Sequence, residues 1–234
     1  MKAFTKTTEW DWLAVKNVPI KPLEEDLVPI NFFPEKIQIS PQYFLQKLPG
    51  AIPELYLRQG VYEKLITASN DLPSGYKFLI YDAWRDIKTQ QALFDILYER
   101  HRQQNPNMTV NELQQLTLKI VALPSTNLLK PSPHNTGGSV DLTIIDSVGR
   151  LLNMGTPFDE ASIRAQTTYF DDPLNVIRKN RQLLYNIMTR HGFTNYSEEW
   201  WHYDYGNQNW AWVSGQSYAV YTGTSPQFAW HSPF

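Results

Sequence analysis

The stretch Ser132-Pro133-His134-Asn135-Thr136-Gly137-Gly138-Ser139-Val140-Asp141 sets a histidine and an aspartate on either side of a glycine turn. A neutral imidazole and a carboxylate are both good ligands for a borderline metal such as zinc. His134 and Asp141 stand seven residues apart, an odd separation, so on one continuous strand they would point to opposite faces. The turn must therefore re-aim one of them. Asn135-Thr136-Gly137-Gly138 has the composition that reverses or kinks a chain, because glycine reaches positive φ without steric cost. Asp141 then opens an apolar run, Leu142-Thr143-Ile144-Ile145, which reads as a buried strand. One ligand on a loop and one at the mouth of a strand supply part of a metal site, although such residues beside glycines also serve turn chemistry and capping.

Glu198-Glu199-Trp200-Trp201-His202 adds a third ligand candidate, His202, with a carboxylate three residues before it. A catalytic zinc keeps three protein ligands and an open position for water, and needs a nearby base to take the water's proton. His134, Asp141 and His202 fill the ligand roles and Glu199 that of the base. In an ideal strand Glu199 and His202 would face apart, so a local turn is expected between them.

The 234 residues suit one domain, and 42% hydrophobic residues is ordinary for a globular core. No linker or internal repeat divides the chain. With 21 basic and 23 acidic residues and no run of like charge, nothing marks a nucleic-acid footprint. Cysteine is absent, so any metal must rest on histidine and carboxylate. The segment from Met1 to Ile20 lacks an apolar signal region, and no stretch of 18 apolar residues occurs. We expect a cytoplasmic protein with no membrane partner; a periplasmic location would need a leader ahead of this segment. Oligomeric state leaves no trace in the pattern.

Closely spaced prolines in residues 1–50 predict an irregular N-terminal wrap, anchored by Trp10, Trp12, Phe32, Phe33 and Tyr43. Helices are expected over Leu55 to Ala68, Ile87 to Gln103, Thr109 to Val121 and from Asp171-Asp172-Pro173 to Arg190, the last closed by Gly192. His101 falls at a polar helix end and reads as solvent-exposed, and His191 as structural. Phe78-Leu79-Ile80-Tyr81 reads as a core strand. Arg85 follows its end, where an arginine is ordinarily a solvated or salt-bridged surface group. Asp159 reads as a cap for the segment beginning Glu160-Ala161. Five of the eight tryptophans, Trp200, Trp201, Trp210, Trp212 and Trp230, crowd the tail. With Gly206 and Gly215 as turns, that tail reads as closing strands and a C-terminal arm over 213–234; His231 has no evident role.

Two motifs, Ser132, His134, Gly137, Ser139, Asp141 and then Glu199, Trp200, Trp201, His202, resemble those of the zinc D-alanyl-D-alanine peptidases. The family pattern is Ser-x-His-x-x-Gly-x-Ala-x-Asp followed by Glu-x-Trp-His. Ser139 replaces the usual alanine, small for small, with no effect on the metal expected. Glu-Trp-Trp-His is similar to the D-alanyl-D-alanine dipeptidase branch of the VanX type, as are Tyr81 to Arg85 and Met154 to Asp159. The resemblance runs in order from about residue 60 to about residue 212. It implies an α+β fold of the D-Ala-D-Ala peptidase and hedgehog-like kind, a small antiparallel sheet carrying one zinc ion with helices packed against it. It also implies that Arg85 points into the active site to stabilise an oxyanion, that Asp159 holds the substrate's amino terminus, and that Ser132 borders the pocket, where a plain loop hydroxyl is the alternative. The family commonly has proline after the arginine; here Asp86 stands.

The activity so implied is zinc-dependent hydrolysis of a small D,D-dipeptide, D-alanyl-D-alanine, to two D-alanines. The alternatives are a carboxypeptidase or endopeptidase on peptidoglycan stem peptides and, more remotely, a non-catalytic cell-wall peptide-binding module.

Overall fold

The computed structural model describes residue 4, residues 10–118 and residues 120–227. Its elements in chain order are α1 (Trp12–Asn17), β1 (Leu27–Pro29), β2 (Ile37–Ile39), α2 (Gln42–Leu45), β3 (Tyr56–Arg58), α3 (Gln59–Ser69), β4 (Lys77–Asp82), α4 (Ile87–Gln104) and α5 (Val110–Leu118). After a 3₁₀ turn, His134–Thr136, come β5 (Ser139–Ile145), a second 3₁₀ turn (Ile163–Ala165), α6 (Val176–Arg190), β6 (Thr194–Asn195), β7 (His202–Asp204) and α7 (Gln208–Ser214). Trp230 and His231 lie outside the described residues. Among those residues no helix is long and apolar enough to cross a membrane.

Five strands form one sheet in the order β2-β4-β5-β7-β6, and β1 pairs with β3 apart from it. The class is α+β, but the sheet is not wholly antiparallel, because β2 joins β4 in parallel. That strand comes from the proline-rich first fifty residues, expected to be irregular. Proline limits element length there rather than preventing elements: α1, β1, β2 and α2 are each six residues or shorter.

Alternation sorts β5 into two faces. Val140, Leu142 and Ile144 point into the core, where Leu142 faces Ile80 and Ile144 faces Phe78 across β4. Ser139, Asp141 and Thr143 occupy the other face. The register with β4 shifts between Ile80 and Asp82, so Asp82 stands opposite Asp141 instead of Val140. One extra residue in β4 thus turns a carboxylate from the apolar face to the polar one.

The apolar face is covered by α3 and α6, whose Val61, Leu65, Leu184, Ile187 and Met188 are buried in one cluster with Phe78, Ile80, Leu142 and Ile144. Burying each such side chain contributes about 1.5–3 kcal/mol, against about 0–1 for an exposed ion pair. Packing, not surface charge, therefore fixes this layer.

Four expectations change. The helix expected from Leu55 begins at Gln59, because Tyr56–Arg58 pairs with Leu27–Pro29 and its alternation, Leu55 and Leu57 inward, is a strand's. The helix expected from Asp171 begins after Asn175, whose Oδ1 accepts from the Ile177 N–H at 2.8 Å; Asp172 instead closes a separate turn on the Leu174 N–H. The tail expected to hold closing strands contains a helix, α7, capped by Asn207 through the Trp210 N–H. His101 is buried, with Nδ1 3.2 Å from Thr117 Oγ1, because α5 folds back onto α4 and covers the helix end.

The glycine turn is held from three sides. Gly137 has φ +72°, and a Cβ there would meet Leu27 Cδ2 at 2.3 Å. Its carbonyl accepts from the Arg58 N–H at 2.9 Å. The buried Arg58 guanidinium donates to the carbonyls of Thr136, Thr222 and Glu25, tying the turn to segments near both chain ends. Left-handed backbone in a non-glycine residue costs about 1–2 kcal/mol and overpacking about 1–3, so Gly137→Ala is expected to destabilise by roughly 2–5 kcal/mol in urea unfolding. An unchanged midpoint would show that the turn is not constrained as described.

Candidate functional site

The polar faces of β5 and β7 meet in a register that pairs Asp141 with His202 and Ser139 with Asp204. Paired residues of adjacent strands share a face, so four polar side chains form a square at the sheet's end. The 3₁₀ turn and Gly137 bring His134 over it. The ligand atoms of His134, Asp141 and His202 lie within 4.8 Å of one another, and all three residues are buried.

Proton accounting shows what this cluster can hold. His134 Nδ1 faces two acceptors, the Ala83 carbonyl at 2.7 Å and Asp82 Oδ2 at 3.2 Å, so it carries the hydrogen and Nε2 is left with a lone pair. His202 Nε2 faces Asp204 Oδ2 at 3.1 Å and carries its hydrogen there, leaving Nδ1 with the lone pair. These two lone pairs face each other across 3.1 Å, and Asp141 Oδ1 lies 2.9 Å from the same Nδ1. Three electron-pair donors aimed at one point repel unless a proton or a cation sits between them. Two imidazoles and a carboxylate are a donor set that zinc accepts.

Electrostatics agree with the geometry. Burial disfavours the charged His202 ring, yet Asp204 and Asp141 outweigh it and raise its pKa well above the ordinary imidazole value. Burial likewise opposes ionisation of Asp141, but His134 and His202 hold its carboxyl well below the usual range. A metal would replace the proton between these groups.

A cleft opens beside the cluster, and His134, Asp141, His202, Glu199, Arg85 and Asp159 all line it. Glu199 sits in a turn, as the spacing to His202 required, with its N–H on the Tyr196 carbonyl at 3.0 Å. Asn195 Nδ2 donates to the Glu199 and His202 carbonyls at 3.0 and 2.9 Å, fixing these two residues relative to each other. Burial raises the Glu199 pKa to about 8, with Asp141 and Asp159 adding to the rise.

Arg85 is buried, not solvated. Its guanidinium donates to Asp82 Oδ2 and Gln90 Oε1 at 2.8 Å and lies 3.6 Å from Asp141 Oδ2. Asp86, where the family pattern has proline, caps α4 by accepting from the Lys88 N–H at 2.7 Å. Asp159 caps nothing: its backbone is left-handed, φ +64°, and its carboxyl opens to the cleft. Burial lifts its pKa to about 6, with Asp141 and Asp82 contributing. Phe158 pins this loop by stacking on Tyr81 at 4.7 Å and meeting Trp201 edge-on at 5.5 Å. Ser132 is buried along a neighbouring cavity, which shares Trp12, Ala122, Pro133 and Asn209 with the cleft but does not place Ser132 in it.

Asp204 and Gln90 carry no role in the sequence reading, where Tyr43 is only a packing anchor and Asp82 only a member of the resembling stretch Tyr81 to Arg85. A signal existed for Asp204, since His202 and Asp204 are two apart and share one strand face. For Asp82 the bulge reverses the face that alternation assigns it.

Residues 58–222 match the Peptidase_M15 family, described as D-ala-D-ala dipeptidase. A protein of Synechocystis sp. (strain ATCC 27184 / PCC 6803 / Kazusa) named D-alanyl-D-alanine dipeptidase is 31% identical over 222 residues, 85% of this chain and 89% of that one. Proteins of the same name from Escherichia coli (strain K12) and Enterococcus faecalis (strain ATCC 700802 / V583) are 32% identical over 131 residues and 28% identical over 130. Those matches span 56% of this chain and 56% of the former protein, and 55% of this chain and 62% of the latter. With more than half of its length inside the family match and a zinc-competent cluster at the end of its sheet, this chain belongs to the D-ala-D-ala dipeptidase family of zinc metallopeptidases.

Proposed function

We propose that this protein hydrolyses D-alanyl-D-alanine to two D-alanines, with His134, Asp141 and His202 holding zinc. The observation that carries this reading is the convergence of three electron-pair donors in a cleft that also holds Glu199, Arg85 and Asp159. Zinc, when bound, acidifies a water, polarises the peptide carbonyl and draws the Glu199 pKa down toward its working range.

Glu199 accepts the proton of the attacking water and passes it to the amine nitrogen as the C–N bond breaks. Its buried setting favours the neutral carboxyl, which helps it hold the proton until the amine takes it. Arg85 offers a guanidinium whose orientation Asp82 and Gln90 fix beforehand, so the carbonyl oxygen meets a donor that need not reorganise as charge develops. Asp159, solvent-accessible where it lines the cleft and close enough to Asp141 and Asp82 to feel their charge, favours a cation, and a free dipeptide presents an ammonium. An N-acylated peptide lacks that charge and leaves the carboxylate unpaired. The neighbouring cavity favours one second reading, a carboxypeptidase on longer stem peptides, because it gives a bound chain somewhere to continue.

D-alanine release from D-alanyl-D-alanine and from an N-acylated D-alanyl-D-alanine peptide, each with zinc and with chelator, separates these readings. Zinc-dependent release from the free dipeptide alone is expected; release chiefly from the acylated peptide would sink the dipeptidase. Glu199→Gln is expected to lower kcat about 10²–10⁴-fold while retaining one zinc per chain by metal analysis, and Arg85→Lys about 10²-fold. Asp159→Asn is expected to raise KM for the free dipeptide on the order of tenfold, with little change for the acylated peptide; equal effects on both would remove its assigned role.

Glu199 also sets a stability trend in chelator-treated protein. Its folded pKa, about 8, lies above its ordinary value of 4.5, so the folded state binds the extra proton and stability falls as pH rises between those values. Thermal unfolding of the metal-free protein at pH 5 and pH 8 should show a larger drop for wild type than for Glu199→Gln. Identical drops would mean that Glu199 ionises normally.

A further inference from the structure

We propose that Ser139, Asn207 and Asn209 form a buried cage that holds the Asp204 carboxylate against His202, making Ser139 a positioning residue for zinc. The proposal rests on the reading of His202 as a zinc ligand. Ser139 lies directly opposite Asp204 in the β5–β7 register, and its hydroxyl donates to Asp204 Oδ1 at 2.6 Å. Asn207 Nδ2 donates to the same oxygen at 2.7 Å, and Asn209 Nδ2 to Oδ2 at 3.1 Å. With His202 Nε2 at 3.1 Å, four donors meet two oxygens, which matches the carboxylate's accepting capacity. Ser139, Asp204, Asn207 and Asn209 are all buried, 3% exposed or less.

The direction of each bond is determined. Asn207 Oδ1 accepts from the Trp210 N–H at 3.0 Å, so its amide nitrogen must face Ser139 and Asp204. That nitrogen donates to Ser139 Oγ at 2.9 Å, so the hydroxyl proton goes to Asp204. The carboxylate cannot rotate without leaving a buried donor unpaired. It therefore keeps the His202 hydrogen on Nε2 and Nδ1 turned to His134 and Asp141. Ser139 stands where the family pattern carries alanine. Here the hydroxyl is one wall of the device that orients a ligand, and it touches neither the cleft nor the substrate's path.

Competition titration with a chromogenic zinc chelator tests this, with thermal unfolding of the metal-free proteins run alongside. Ser139→Ala is expected to bind zinc about 3–10-fold more weakly and Asp204→Asn about 10–100-fold more weakly, the range found for outer partners of metal-bound histidine. Metal-free Ser139→Ala should melt below wild type, because Asn207 Nδ2 loses an acceptor and Asp204 a donor, yet stay folded at the titration temperature, and its KM for the dipeptide should not change. Zinc affinity of Ser139→Ala within twofold of wild type overturns the proposal. If Asp204→Asn does not fold, Ser139→Ala alone decides, since alanine is what the family pattern carries at that place. A wild-type protein that binds one zinc yet releases no D-alanine would sink the dipeptidase reading and leave this comparison intact.

Discussion

The register between β5 and β7 is the constraint on which the rest depends. Asp141 faces His202 and Ser139 faces Asp204 only in this alignment. Slipping β5 by one residue against β7 would bring Val140 to the polar face and send Asp141 into the core, away from His202. What prevents the slip lies on the opposite side of the same strands, where Val140, Leu142, Ile144 and Tyr203 are buried. Core packing thus fixes chemistry it never touches. The bulge in β4 extends the logic, since it spends one residue of pairing to deliver Asp82 behind His134 and Arg85.

Charge explains why so polar a cluster is tolerated inside a protein. Asp82, Asp141 and Asp204 are each 5% exposed or less. Arg85 is the fixed cation of Asp82 and Asp141, and burial of its guanidinium is outweighed by Tyr43, Asp82 and Asp141, which keep its pKa raised. His202 supplies a second positive charge while protonated. Replacing that proton by a divalent ion improves the balance further, because the neutral imidazoles then face a charge they can coordinate. His134 and His202 depress Asp141, whereas burial, with neighbouring carboxylates adding, lifts Glu199 and Asp159, so carboxyls within one cleft are driven in opposite directions.

Much of this was legible in the sequence where local rules govern. The apolar run after Asp141, the strand at Phe78, the helix from Ile87 and the glycine turn all follow from period, capping and backbone freedom. His134, Asp141, His202, Glu199, Arg85 and Asp159 were named from spacing and resemblance, and they line one cleft. What escaped depends on partners far along the chain. Nothing local distinguishes Arg58 as the clamp on Thr136 and Thr222, or His101 as a buried contact of Thr117. Tyr56–Arg58 becomes a strand only because Leu27–Pro29 arrives to pair with it. Asp82 was lost to a bulge, and the tail's aromatic content hid a helix whose start is marked by one asparagine cap.

Trp12 carries a consequence of another kind. It stands on α1, ahead of the segment that matches the family, yet its ring lines the cleft and leans on Tyr196 at 5.8 Å, beside the turn of Glu199. The bond-breaking apparatus and one boundary of the chamber around it are therefore encoded in separable parts of the gene. A change in this short leading helix would reshape the space beside the cluster while leaving His134, Asp141, His202 and Glu199 in place.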